Sequence, residues 1–433
     1  MDTTPFFTQD TIVFGILMLT LGFVFYTSSS NNSGWKKFYK YVPALLMAYM
    51  LPAIFTSTGI ISPEWETISE TGEITHHGSQ LYYIASRFLL PAALVLMTLS
   101  IDLKAVFNLG PKALIMFLAG TLGIIIGGPI AVLLVSFVSP ETVGGVGPDA
   151  VWRGLATLAG SWIGGGANQA AMLEIYEFNT KNYASFVIVD IVVANIWMAI
   201  LLLGIGKNEK IDKWLKADSS AIETLKDKVS NYAAKINRNP TLPDLMVILS
   251  IAFVVVGASH FGADLISDYL INNFDAVSDK TSAMSSFGSQ FFWMITIATI
   301  LGILLSFTKL KSYEGAGASK IGSVFIYILV ASIGMKMNLT QIFDNPGLLI
   351  VGLIWMVIHV IILIAIAKLI KAPFFFLAVG SQANIGGAAS APIVAAAFHP
   401  SLATVGVLLA VFGYVVGTYG AMFTAELMRI VAP

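Results

Sequence analysis

The sequence predicts an all-α, polytopic membrane protein of about twelve hydrophobic segments, arranged as two inverted structural repeats that each contain one discontinuous glycine-rich helix. Three observations predict it. Of the 433 residues, 56% are hydrophobic and 11% charged, and apolar runs of about 18 residues or more recur, which is more apolar surface than a soluble fold of this length can bury. Those runs are continuous rather than alternating, so they are not the strands of a transmembrane barrel. Third, Gly160-Ser161-Trp162-Ile163-Gly164-Gly165-Gly166-Ala167-Asn168-Gln169 has an echo in Gly380-Ser381-Gln382-Ala383-Asn384-Ile385-Gly386-Gly387-Ala388-Ala389-Ser390. Each opens with Gly-Ser and continues into paired glycines flanked by amides.

Taken in order, residues 11–26 form an apolar run without the basic start and small-residue cleavage site of a signal peptide. Lys36, Lys37 and Lys40 precede a second span over 41–61, and Glu64, Glu66, Glu70 and Glu73 follow it. The lysines read as cytoplasmic and the glutamates as external. The third span, 81–100, contains Arg87 and Pro91; the fourth, 111–137, places Gly120, Gly123, Gly127 and Gly128 where small residues favour close helix packing. The first glycine-rich stretch occupies 151–176, and a sixth span covers 183–206. Residues 207–242 are a polar linker, in which Ala221, Leu225, Val229 and Ala233 mark the apolar stripe of an amphipathic helix over 219–236. The second half offers 243–260, 291–307, 321–337, 348–370, the second glycine-rich stretch at 373–398, and 402–428. The repeats are therefore 1–206 and 243–433.

The duplication has a second marker. Asp102-Leu103-Lys104-Ala105-Val106-Phe107-Asn108 matches Asn338-Leu339-Thr340-Gln341-Ile342-Phe343-Asp344, and each copy leads through a Gly-Pro or Pro-Gly pair and an apolar span to a glycine-rich stretch. In duplicated transporter folds, interrupted helices at corresponding positions mark the binding site. In lipid, an unwound segment persists only where it is buried in protein or lines a polar cavity. Its freed carbonyls can hold a cation, and its half-helix N-termini can face an anion. The candidate ion or solute ligands are Ser161, Gly164, Gly165, Asn168 and Gln169 in the first stretch and Ser381, Gln382, Asn384, Gly386 and Ser390 in the second. Close packing is the plainer role for these glycines; two copies in register, each with amides, favour a functional break.

Ionisable residues inside spans extend the set. Asp190 is costly there as an unpaired charge, which makes it the leading cation or proton ligand, with a protonated, hydrogen-bonded Asp as the alternative. Asn195 lies about 140° around the same helix. His359 can titrate in a proton-coupled cycle, although a neutral ring bonded to a carbonyl fits equally. Arg87 is placed to snorkel or to serve as an anion counter-charge. Glu174, Glu177 and Glu426 are near enough to segment ends to be solvated. Gly413, Gly417 and Gly420 read as a packing face, and Trp197, Trp355 and Tyr414 as lipid-facing or interfacial.

Other classes are disfavoured. The formal charge of -1 says nothing about nucleic acid and no basic cluster suggests it, and zero cysteines exclude disulfides, thiol catalysis and Cys-ligated metal. No nucleophile set, metal-ligand spacing or ATP motif assembles, so neither an enzyme nor a primary pump is expected. One conflict remains. If the three lysine-rich loops are all cytoplasmic, the Asp102 and Asn338 stretches lie on opposite sides of the membrane, which six full crossings per half do not allow. The first glycine-rich segment, read as re-entrant, is the leading suspect.

The paired elements Ser161-Trp162-Ile163-Gly164-Gly165-Gly166-Ala167-Asn168 and Asn384-Ile385-Gly386-Gly387, with Ser390-Ala391 after the second, resemble the YjcL-like membrane proteins, domain-of-unknown-function family 819, over nearly the whole chain. That family is similar to the cation:proton antiporter and anion transporter superfamily, which includes the bile-acid sodium symporters. The resemblance implies inverted repeats, a core domain with two crossed discontinuous helices at 151–176 and 373–398, and a scaffold domain that forms a homodimer. It further implies elevator-type alternating access in a bacterial cytoplasmic membrane. The paired acids of the antiporters are missing, since Asp190 stands alone in its span. The expected function is therefore sodium- or proton-coupled symport of a small organic solute, anionic ones included, without a cofactor. A cation/proton antiporter using Asp190 is the runner-up; a sensor, intramembrane enzyme or channel carries less weight.

Overall fold

The computed structural model describes residues 4–39, 42–68, 74–100, 103–218, 222, 239–278, 287–337, 339, 345–399 and 402–433. The amphipathic helix expected over 219–236 lies outside them apart from Ile222, as do Asp102, Asn338 and most of the second Asp/Asn-Leu stretch.

The first half comprises α1 (Asp10–Ser28), α2 (Ser33–Tyr39), α3 (Ala44–Ser57), α4 (Leu81–Leu99), α5 (Leu103–Asn108), α6 (Pro111–Ser136), α7 (Pro140–Val143), α8 (Val151–Gly164), α9 (Gly166–Ile175), α10 (Tyr183–Ile205) and α11 (Asn208–Leu215). Between α3 and α4, β1 (Glu64–Ile68) pairs antiparallel with β2 (Ile74–Gly78), Glu64 opposite Gly78. The second half comprises α12 (Leu242–Asn273), α13 (Asp275–Ser278), α14 (Gln290–Ser306), α15 (Ala318–Lys336), α16 (Gly347–Leu369), α17 (Phe374–Ile385), α18 (Gly387–Phe398) and α19 (Ala403–Val431).

Among the described residues, eight helices are long and apolar enough to cross a membrane, or up to ten if two bent pairs are each counted as one span. The two bent pairs are α2 with α3, and α14 with the 3-10 turn Lys309–Ala316. The remaining two of the twelve apolar segments are the glycine-rich ones, and each is divided into two short helices. At 14 residues, α8 spans only about 21 Å, less than the hydrocarbon thickness of roughly 30 Å.

Two local departures have plain causes. Helix α12 runs 32 residues, well past the apolar window at 243–260, because hydropathy registers the bilayer and not the helix. Its start is fixed by a capping box in which Thr241 and Asp244 bond each other's backbone N–H. In α4, residues Ala85–Leu89 form a π turn. Pro91 has no N–H to return to the Arg87 carbonyl, and that carbonyl instead accepts a hydrogen bond from His260 Nε2 of α12 at 2.9 Å.

Each divided segment folds back on itself. In the first, Trp152 and Tyr176, at the start of α8 and just past α9, pack with ring centroids 5.3 Å apart. Halfway along, a Cβ added at Gly160 would lie 2.6 Å from the Asn168 carbonyl oxygen and 2.9 Å from the Met172 side chain. In the second, Phe374 and Phe398, at the start of α17 and the end of α18, are 5.8 Å apart. Both are helical hairpins, not the crossed discontinuous helices that the resemblance implies. The first reversal needs Gly165 at φ 78°, ψ -171°, a region that is essentially glycine-only.

The hairpins enter from opposite ends. Helix α10 begins next to the open end of the first and runs 23 residues, about 34 Å. At its far end, a Cβ at Gly204 would lie 2.7 Å from the Phe374 ring, and Asp212 Oδ1 of α11 accepts the Phe374 N–H at 2.6 Å. The open end of the second hairpin is therefore one full helix length away from that of the first.

Glycine stripes let the surrounding helices close around them. Gly127 and Gly128 of α6 lie against Trp355 of α16, and Gly123 against His359. The Gly413, Gly417 and Gly420 face of α19 packs on the first hairpin, with Gly417 against the Gly164 backbone.

Candidate site at the hairpin tips

The closed ends of the hairpins meet: a Cβ at Gly387 would lie 3.8 Å from Gly165 Cα. Around this contact, Tyr414 of α19 lies 3.6 Å from the corresponding position on Gly165, and Ile326 of α15 lies 3.8 Å from that on Gly166. Helices α8 and α17 end here and α9 and α18 begin here. Two sets of free carbonyls and two helix N-termini therefore converge on one place.

Asp190 holds the first hairpin. Its carboxylate accepts hydrogen bonds from Ser161 Oγ at 2.8 Å, Trp162 Nε1 at 2.6 Å and Gln169 Nε2 at 3.0 Å. The first two come from the incoming arm and the third from the returning arm, so one buried side chain clips both. Asn195 is not in this cluster; half-buried, it bonds back to the Ile191 carbonyl of its own helix.

Ser381 is the matching anchor of the second hairpin. It receives a hydrogen bond from Trp197 Nε1 and lies 2.8 Å from His359 Nε2. His359 Nδ1 is 3.0 Å from the Gly120 carbonyl, which can only accept, so Nδ1 carries a proton; in the neutral ring Nε2 then accepts the Ser381 hydroxyl. Both ring nitrogens are thus engaged. Asn384 donates to the Phe117 and Gly380 carbonyls and accepts from Thr121, which pins this arm to α6.

Among the described residues, two buried side-chain amide oxygens have no hydrogen-bond partner. Asn168 donates to Thr418 Oγ1 at 2.8 Å and to the Tyr414 carbonyl, and Gln382 donates to Ser390 Oγ at 2.7 Å. Asn168 Oδ1 and Gln382 Oε1 are buried without a hydrogen bond. A stranded buried acceptor costs about 1–3 kcal/mol, and an amide oxygen is a fitting ligand for a hard cation.

The family can now be read from the chain as a whole, since residues 15–431 match the model described as protein of unknown function (DUF819). The chain belongs to this family. It is similar to the uncharacterized membrane protein YjcL of Bacillus subtilis (strain 168), being 22% identical over 394 residues that cover 88% of this chain and 89% of that relative. Like that relative, it is a membrane protein, and its described residues include multiple helices long and apolar enough to cross a bilayer.

Several side chains lie where the sequence does not put them. Trp197, Trp355 and Tyr414 are buried rather than lipid-facing, because each indole N–H has an inward acceptor, Ser381 for Trp197 and the Ile124 carbonyl for Trp355. The Glu174 side chain is 8% exposed rather than solvated, paired with Arg87 at 2.5 Å. Glu177 is exposed, and Glu426 bonds Arg429 at 2.9 Å. Thr121, Thr418 and Trp162 complete the hairpin contacts without any signal in the sequence beyond their place in glycine-rich or neighbouring helices.

Proposed function

We propose that this protein is a secondary active transporter, a cation-coupled symporter of a small organic solute, working by elevator-type alternating access. The observation that carries the reading is the tip-to-tip contact of two helical hairpins that enter from opposite ends. Each tip brings free carbonyls, helix N-termini and buried amides to the same place, which suits a cation and an anionic group together.

The hairpin geometry also supports inverted repeats. With ten crossings and two re-entrant hairpins, the loop at Lys36, the linker that begins at Lys207 and the loop over Lys309–Ala316 all fall on one side, which is then cytoplasmic. Each half has five crossings, so the two Asp/Asn-Leu stretches fall on opposite sides, as twelve crossings could not give. In this reading the hairpins with α6, α10, α16 and α19 are the moving core, and α1, α3, α4, α12, α14 and α15 are the scaffold. Helix α12, which turns Val254, Phe261 and Leu265 outwards, is the expected homodimer surface.

Sodium or a proton can drive such a cycle. The unpartnered Asn168 and Gln382 oxygens favour a metal cation, because Asp190 and His359 are already engaged by the hairpin anchors. The same engagement weighs against the antiporter alternative, which needs Asp190 free to exchange. The test is uptake of candidate solutes into proteoliposomes under an imposed sodium gradient. Solute accumulation that collapses with the gradient supports symport; pH-linked cation flux without solute contradicts it.

A further inference from the structure

A second site lies at the open end of the first hairpin, away from the tips. There a cavity of about 420 Å3 is lined by Arg87, Lys181 and Lys336 and by Glu64, Glu174 and Glu177. An adjoining cavity of about 640 Å3 under the β1–β2 ribbon shares Glu64, Lys181 and Lys336 with it. Both volumes are in the range of small-molecule sites.

At the wall of the smaller cavity, Arg87 Nη1 donates to Glu174 Oε2 at 2.5 Å, and the Tyr82 hydroxyl donates to the same carboxylate. The guanidinium also lies 4.5 Å from the centre of the Phe291 ring, and Lys336 Nζ lies 4.4 Å from that of Tyr82. Arg87 is on α4 and Glu174 on the returning arm of the hairpin, so this pair ties the hairpin to a neighbouring helix. Glu174 engages Nη1, one nitrogen of a fork that carries five N–H donors.

The charges constrain what can bind. A simple organic anion that took Arg87 would leave Glu174, whose side chain is 8% exposed, without its guanidinium partner, and a largely buried carboxylate that loses its counter-charge is unfavourable. A simple cation that took Glu174 would leave Arg87, whose side chain is 28% exposed, without its carboxylate, at a smaller cost. A solute that carries both charges can insert into the pair and leave neither uncompensated.

We propose that this cavity is the outer docking site for a small amphoteric solute of the amino-acid type, whose carboxylate takes Arg87 and whose ammonium takes Glu174. The proposal rests on the transport reading and names its solute class. Binding there replaces the direct tie between α4 and the hairpin with one that leaves when the solute does.

The test uses the full-length protein in lipid nanodiscs and melting-temperature shifts with the standard L-amino acids, each hit then compared with its N-acetyl and its carboxamide derivative. At least one free amino acid should raise the melting temperature, and both derivatives should bind at least about tenfold more weakly, because a site built for two charged groups rejects an analogue that lacks one. Arg87→Ala and Glu174→Gln, checked for monodispersity, should each show the same loss, and Arg87→Lys a smaller one. No shift with any amino acid, or an N-acetyl derivative that binds as well as the free form, overturns the proposal. The derivative comparison is made on the wild-type chain and stands even if the variants fail to fold. Sodium-driven uptake of a solute without an ammonium group, at wild-type rate in Arg87→Ala, would remove the docking site while leaving the transport reading intact.

Discussion

Gly387 and Gly165 touch: a Cβ on the first would sit 3.8 Å from the Cα of the second, although the two residues belong to hairpins that enter from opposite ends of the protein. Close approach of two backbones deep in a membrane protein needs side chains to be absent on both sides, and the glycines supply that.

Gly165→Ala tests the reversal. No atom lies closer than 3.6 Å to the added methyl group, so the cost is in the backbone, where φ 78° with ψ -171° is strained by about 1–3 kcal/mol for any other residue. The variant should fold with a lower melting temperature and transport poorly. Unchanged stability and uptake would show that the tip adopts another conformation.

Gly417→Ala tests the packing of α19 on the first hairpin. Its methyl carbon would lie 2.6 Å from Gly164 Cα, a backbone atom that cannot move aside, and overpacking of this kind costs about 1–3 kcal/mol. Thermal unfolding in detergent measures it; a neutral result would place the two helices further apart.

Asp190→Asn should release the first hairpin. An amide keeps one accepting oxygen and sets its NH2 against the donors at the other position, either Trp162 or the pair Ser161 and Gln169, and each stranded buried donor costs about 1–3 kcal/mol. Coupled transport should be lost. A double-mutant cycle with Ser161→Ala should give a coupling of about 0.5–3 kcal/mol, as for residues in direct contact; strictly additive effects would remove Asp190 from its anchoring role.

Asp212 brings pH dependence to the open end of the second hairpin. Burial raises its carboxyl above the ordinary value of 3.8, while the hydrogen bond from the Phe374 N–H works the other way. With the folded state binding the proton more tightly, the group's contribution to stability is full below that ordinary value and is lost as pH rises through the folded one. Asp212→Asn should therefore flatten the melting-temperature profile on the acid side above that ordinary value, and an unchanged slope there would contradict the assignment.

The sequence shows the spans because a bilayer demands continuous apolar runs, and it shows both divided helices because Gly165 and Gly387 interrupt such runs. It does not show that the chain turns back, since reversal depends on Gly160 packing against the Asn168 backbone and Trp152 against Tyr176. Crossed half-helices and hairpins share one glycine pattern. Glu174 reads as a solvated end residue because its partner, Arg87, lies 87 positions earlier. Trp197 and Trp355 read as interfacial because a buried indole is recognised only by its acceptor, and Ser381 and the Ile124 carbonyl are distant in sequence.

The central claim is that two hairpins enter from opposite faces of the membrane, and the cysteine-free chain allows it to be measured without background. Lys181 and Lys371 are exposed at the open ends of the first and second hairpins. In intact cells, Lys181→Cys should react with a membrane-impermeant maleimide, while Lys371→Cys should react only after permeabilisation. Labelling of both from the same side would contradict the account.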